Sequence, residues 1–180
     1  MKRLLLWAFV LGILFGVFDY LIAILRLYVP PKKPEEFPIL MYFIRNSLFA
    51  TAVCLPKAII EKSIRLVGKA LLFGVLIGII QILLPFITMS GEVVLFVLKW
   101  TLGFLAGSMS SDSNGATKLY SRLGGLIGGS VNLNLWLALF ALPVSARFWS
   151  VLLVAYYGTE CASYWFFIAT AQRLGERRHL

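Results

Sequence analysis

The stretch Phe148–Ala171, FWSVLLVAYYGTECASYWFFIATA, decides how the rest of the chain is read. It is long enough to cross the hydrocarbon core of a bilayer as a helix, which takes about 20 residues. Glu160 stands near its middle. An ionisable group at that depth costs about 2.5–3.5 kcal/mol on insertion scales, so it marks a function or a specific partner. The other segments are read as what surrounds it.

The whole composition agrees with a membrane span. Of 180 residues, 60% are hydrophobic, and the mean hydropathy is +0.88. A soluble domain cannot solvate that much apolar surface, and the apolar runs exceed the length of ordinary core helices. The expectation is an all-α membrane protein with one transmembrane domain over residues 1–180, in the cell (inner) membrane. Six spans are expected, at about 4–28, 38–55, 70–88, 92–109, 117–142 and 148–171. Lys2 and Arg3 before a long apolar run resemble a secretory signal, but the run outlasts a signal peptide's apolar region and reads as a retained anchor.

The net charge of +9 would point to nucleic acid in a soluble domain. Here the cations sit in short loops, which is the pattern that orients membrane proteins, and no nucleic-acid partner is expected. With the N-terminus in the cytoplasm, the inner segments hold Lys2, Arg3, Lys57, Lys62, Arg65, Lys69, Lys118, Arg122, Arg173, Arg177 and Arg178. The outer segments hold only Lys32, Lys33 and Arg147. Both termini are therefore expected inside.

The connections are legible to different degrees. Residues 29–37, with three prolines, read as a stiff outer loop. Pro56 should end the second span. Residues 56–69 are basic and amphipathic, with Glu61 and Arg65 placed to pair, and read as an interfacial segment or a downward extension of the third span. Residues 110–116, SSDSNGA, carry turn chemistry without a phosphate-loop spacing. The tail from Gln172 reads as frayed.

A small-residue pattern recurs: Gly12, Gly16 and Asp19; Gly74, Gly78 and Gln81; Gly103, Gly107 and Ser110; Gly125, Gly129 and Asn132. Offsets of four and three keep each trio on one helical face. Such GxxxG faces let helix backbones approach closely, within the bundle or against another membrane subunit. Leu11–Gly16 and Leu102–Gly107 are alike, which hints at an inverted repeat of three plus three helices.

Each span also carries polar residues near its centre. The candidate ligand-binding set is Asp19, Arg45, Asn46, Gln81, Lys99, Asn132, Asn134, Tyr156, Glu160 and Tyr164. Four unpaired charges would together cost about 10–14 kcal/mol, so they should pair or line a wet cavity. Lys99 with Glu160, and Arg45 with Asp19, are candidate pairs. The set suits either a small polar solute or an internal network that fixes helix register. A proton relay through Asp19 and Glu160 is a further reading.

Catalysis finds little support. The sole histidine, His179, lies in the tail, so neither a catalytic triad nor a metal-ligand spacing exists. Asp19 and Glu160 lack the flanking motifs of an intramembrane aspartyl pair. Cys54 and Cys161 lie in apolar runs, which argues against a disulfide framework. No enzyme activity, metal or cofactor is expected.

Size, six spans, inward termini and the face of Ala8, Gly12 and Gly16 on the first span are similar to the substrate-binding S components of energy-coupling-factor vitamin transporters. That resemblance implies a partner-docking role for Ala8, Gly12 and Gly16. No vitamin-binding motif accompanies it. The expected function is a small membrane component of a transport system that binds a small polar solute near the midplane. The alternative is a non-catalytic accessory or assembly subunit of a larger membrane complex. The expected partners are the lipid bilayer and another membrane subunit.

Overall fold

The computed structural model describes residues 1–28, 39–83, 91–110 and 115–177. These form six α-helices: α1 (Lys2–Tyr28), α2 (Ile39–Ile60), α3 (Ile64–Leu83), α4 (Gly91–Met109), α5 (Gly115–Phe140) and α6 (Ala146–Arg177). Three stretches are long and apolar enough to cross a membrane, Lys2–Ile22, Thr117–Phe140 and Phe148–Arg177, and Leu95–Met109 is a shorter apolar helix.

The helices run alternately up and down. Gly12 meets Gly158 and Gly16 meets Val154, so α1 and α6 are antiparallel. Lys99 against Gly129 and Ser121 against Gly107 set the same relation for α4 and α5, as do Ser47 against Gly74 and Cys54 clustered with Ala70 for α2 and α3. Neighbours follow the order α3, α2, α1, α6, α5, α4. The ring barely closes, because α4 touches α2 and α3 only lightly.

Glycine sets the close approaches. A Cβ on Gly16 would stand 2.9 Å from the Val154 backbone, one on Gly74 2.7 Å from the Ser47 carbonyl oxygen, and one on Gly129 2.6 Å from that of Lys99. Contacts this tight bring helices together by packing alone, the mode available where water supplies no driving force. Around them lies a core of Phe15, Phe49, Ile77, Leu102, Tyr157 and Trp165. Polarity is distributed inside-out: Asp19, Asn46, Lys99, Asn132 and Glu160 are buried, while Leu14, Leu72, Ile127, Leu135 and Val151 are exposed. Apolar surroundings would satisfy that outer surface, and water would not.

The helix bounds depart from the sequence expectation at two places. Pro56 does not end α2, which continues to Ile60. Proline removes a donor and crowds the carbonyl four residues before it. Here the ring is fully buried, and the Trp165 indole N–H donates to the Val53 carbonyl at 2.8 Å, next to the Ala52 carbonyl that the proline leaves without its helical donor. Packing thus carries the helix past a residue that usually stops one.

The segment 56–69 is consequently shared between α2, a turn and α3. Lys62 takes a left-handed conformation with φ 47°. Ser63 N–H bonds Ala58 O at 3.1 Å, and Lys62 N–H bonds Ile59 O at 3.3 Å. This is the Schellman pattern, in which a left-handed residue lets outer N–H groups satisfy the last carbonyls. Glu61 pairs with Lys57 at 3.1 Å, not with Arg65, because the turn at Lys62 breaks the helical spacing between Glu61 and Arg65. The tail expected to fray also differs, since α6 continues to Arg177. The proline-rich loop, Pro85 and residues 111–114 of the SSDSNGA loop lie outside the described residues.

Candidate functional site

Two ion pairs flank one cavity, one near the centres of α4 and α6 and the other toward one end of α1 and α2. Arg45 on α2 grips Asp19 on α1 with both arms of its guanidinium: Nε to Oδ1 at 2.5 Å and Nη2 to Oδ2 at 2.9 Å. Bidentate geometry of this kind is the strong form of a charged hydrogen bond. Tyr157 on α6 closes the set, accepting from Arg45 Nη2 at 3.2 Å and donating to Asp19 Oδ2 at 3.1 Å. The Asp19 side chain is 10% exposed and that of Arg45 39%. One side of the guanidinium is therefore open.

The second pair is deeper. Lys99 Nζ on α4 donates to Glu160 Oε1 on α6 at 2.5 Å, with side-chain exposures of 5% and 0%. It also donates to the Tyr156 hydroxyl at 3.1 Å, and lies 5.4 Å from the Tyr156 ring centroid and 5.6 Å from that of Trp136. Tyr156 in turn donates to the Asn132 carbonyl at 2.7 Å. Tyr164 donates to the Lys99 carbonyl at 3.1 Å, and Ser163 to Asn132 Oδ1 at 2.6 Å. Taking two charges out of water is costly, and the hydrogen bonds around them offset that cost.

A cavity of about 130 Å³ joins the two pairs. Arg45, Asn46, Lys99, Tyr157 and Glu160 supply its polar lining, and Phe15, Phe49 and Trp136 are among its apolar walls. Its lining comes from five helices, among them α2 and α4, which touch each other only lightly. Two buried atoms of lining residues have no partner: Asn46 Nδ2, a donor, and Glu160 Oε2, an acceptor. Asn132 Nδ2, away from the cavity lining, is a third such atom. All three are closed to a water-sized contact, so they lie behind the lining and are not presented to the cavity.

The structure thus brings together Asp19, Arg45, Asn46, Lys99, Asn132, Tyr156, Glu160 and Tyr164 of the ten residues expected to bind a ligand. Of these, Arg45, Asn46, Lys99 and Glu160 line the cavity, while Tyr156 and Tyr164 act behind it, holding Lys99. Asn134 departs from expectation. It is exposed, and its amide donates to the Ser130 carbonyl one turn back at 2.9 Å, because it lies two residues and so about 200° from Asn132 on the same helix. The Gln81 side chain lies outside those described. Ala8 is fully buried, and Gly12 and Gly16 press on α6 of the same chain. The face expected to dock a partner is therefore covered from within.

Tyr157, Trp136, Phe15 and Phe49 were not singled out by the sequence reading. Tyr157 carried a usable signal, since it stands three residues before Glu160 and so shares its face as well as Tyr156 does. The other three are ordinary apolar residues whose role depends on which helices meet. Among the described residues, no group of His, Cys, Asp and Glu could hold a metal ion, and Cys54 and Cys161 are buried free thiols. No protein-family model, curated protein or solved structure matches the chain.

Proposed function

We propose that the chain is a small integral membrane component of a transport system, binding a small polar solute in the cavity between the two ion pairs. The observation that carries this reading is the polar lining of the cavity, Arg45, Asn46, Lys99 and Glu160 brought together from three helices, with Arg45 partly exposed. A solute that fits them offers both an acceptor and a donor, as an amide, an amino acid or a polyol does. The volume of about 130 Å³ is that of roughly four waters at about 30 Å³ each, which suits a solute of only a few heavy atoms. The reading takes six spans with both termini in the cytoplasm, and no catalysed reaction. The alternating helix order and the basic residues at the end that carries Lys2 and Arg177 support that orientation.

Asn46→Leu is the discriminating substitution. It removes an unpaired buried donor, so folding stability should hold or rise slightly. Solute binding should be lost. The measurement is the shift in Tm of the purified protein in mild detergent across a panel of small amides, amino acids and polyols. At least one compound should stabilise the native sequence and leave Asn46→Leu unmoved. A panel that shifts neither protein, or both alike, would sink the reading.

The closed geometry of the Lys99–Glu160 pair favours a second reading, an accessory subunit whose charges only fix helix register. Purification in mild detergent with mass spectrometry of what accompanies the chain separates the two. Stoichiometric ATPase and coupling subunits fit a transporter, and another complex fits a scaffold.

A further inference from the structure

A second, larger cavity of about 490 Å³ lies at the opposite end of the molecule from the α5–α6 connection, between α1, α2 and α6. Its rim holds Lys2 and Arg3, and its wall holds Lys57 and Glu61. Lys57 and Glu61 pair with each other, whereas Lys2 and Arg3 have no ion-pair partner among the described residues. The floor is different in kind. Trp165 and Ile168, each 1% exposed, form it together with Leu4. The polar atoms nearby are largely spoken for: the Trp165 N–H by Val53, and the Gln172 amide by Ser110 and Ser121. Two unpaired cations thus stand over an apolar basin, beside helices whose outer faces expose Leu6 and Ile60.

We infer that this groove holds the phosphate headgroup of an anionic lipid, with Lys2 and Arg3 on the phosphate and the upper part of an acyl chain or glycerol over Trp165. Soluble phosphate shares the anion chemistry but has no use for the apolar floor, and a zwitterionic lipid brings its own cation. Basic pockets between helices at the cytoplasmic side are suited to such headgroups, and each Lys or Arg near an anionic surface contributes about a fivefold factor. The site is separate from the cavity between the ion pairs, so it stands whether or not a solute binds there.

Native mass spectrometry of the purified full chain, exchanged into detergent with equal phosphatidylglycerol and phosphatidylcholine, tests it. One phosphatidylglycerol should be retained in preference to phosphatidylcholine. Lys2→Gln with Arg3→Gln should weaken that retention about thirty-fold, while Lys69→Gln with Lys118→Gln, the same charge removed elsewhere on that end, should leave it within about twofold. Tm should be unchanged in both, since all four side chains are exposed. Equal loss in the two double variants would reduce the effect to general surface charge and overturn the site. Equal retention of the two lipids would overturn the anion requirement. Displacement of the lipid by millimolar inorganic phosphate would assign the groove to a soluble anion instead.

Discussion

Glu160 has one carboxylate oxygen bound to Lys99 and the other bound to nothing, and that asymmetry sets what substitution should do. Removing Lys99 strands a buried carboxylate, whereas removing both charges strands none. Lys99→Met should therefore cost about 3–5 kcal/mol of stability, and Lys99→Met with Glu160→Met should recover most of it. Thermal unfolding in detergent gives both values. If the single variant were as stable as the double, the pair would not be the closed, dry contact its exposures imply. At this scale the sequence was informative about who is charged and how many must pair, because the cost of a lone charge in an apolar setting is general. Two acids and two bases can pair in two ways; the structure holds Lys99 with Glu160 and Arg45 with Asp19, but the sequence alone did not choose between the two. What a single sequence withheld was Tyr157 as the bridge between Asp19 and Arg45. A bridging hydroxyl is defined by where three helices converge.

At the scale of helices, glycine spacing predicts close approach, and the structure adds which neighbour is approached. Gly103 faces the backbone of Gly125 across α4 and α5, so an added methyl there has nowhere to go, while Gly68 on α3 faces open space. Gly103→Ala should destabilise by several kcal/mol, in the range of other overpacked cores. Gly68→Ala should stabilise by up to about 1 kcal/mol through helix propensity. Parallel unfolding curves would expose an error if the two variants moved in the same direction. The same contrast explains why the α2 boundary was misread. Pro56 is a sound stop signal for an isolated helix, but its ring is buried in the bundle and Trp165 satisfies a nearby carbonyl. Pairing of Glu61 with Lys57 follows from that longer helix.

For the molecule as a whole, the alternation of helices places the α2–α3 turn and the end of α6 at one end and the α5–α6 connection at the other. Cys54 and Cys161 are buried, so introduced thiols can be read against a quiet background. Lys62→Cys and Arg177→Cys should react alike with a membrane-impermeant reagent applied to sealed vesicles of one orientation, and Ser145→Cys should behave oppositely. Reaction of all three from one side would remove the six-span reading. The weak closure of the ring between α2 and α4 is also a whole-molecule property. The cavity draws its lining from five helices, an outcome no local pattern encodes.

By itself the sequence determined the helical class, the approximate extent of the helices, the bias of charge toward one end and the need for the buried charges to be paired. Each follows from composition and period, which act along the chain and need no knowledge of neighbours. The tertiary structure alone decided that Gly12 and Gly16 face α6 and Ala8 is buried, that Asn134 points outward, that α2 runs through Pro56, and that Arg45, Asn46, Lys99 and Glu160 line one cavity. Those outcomes depend on which helix faces which, and the energies that choose among facings are sums of many small contacts made across the bundle.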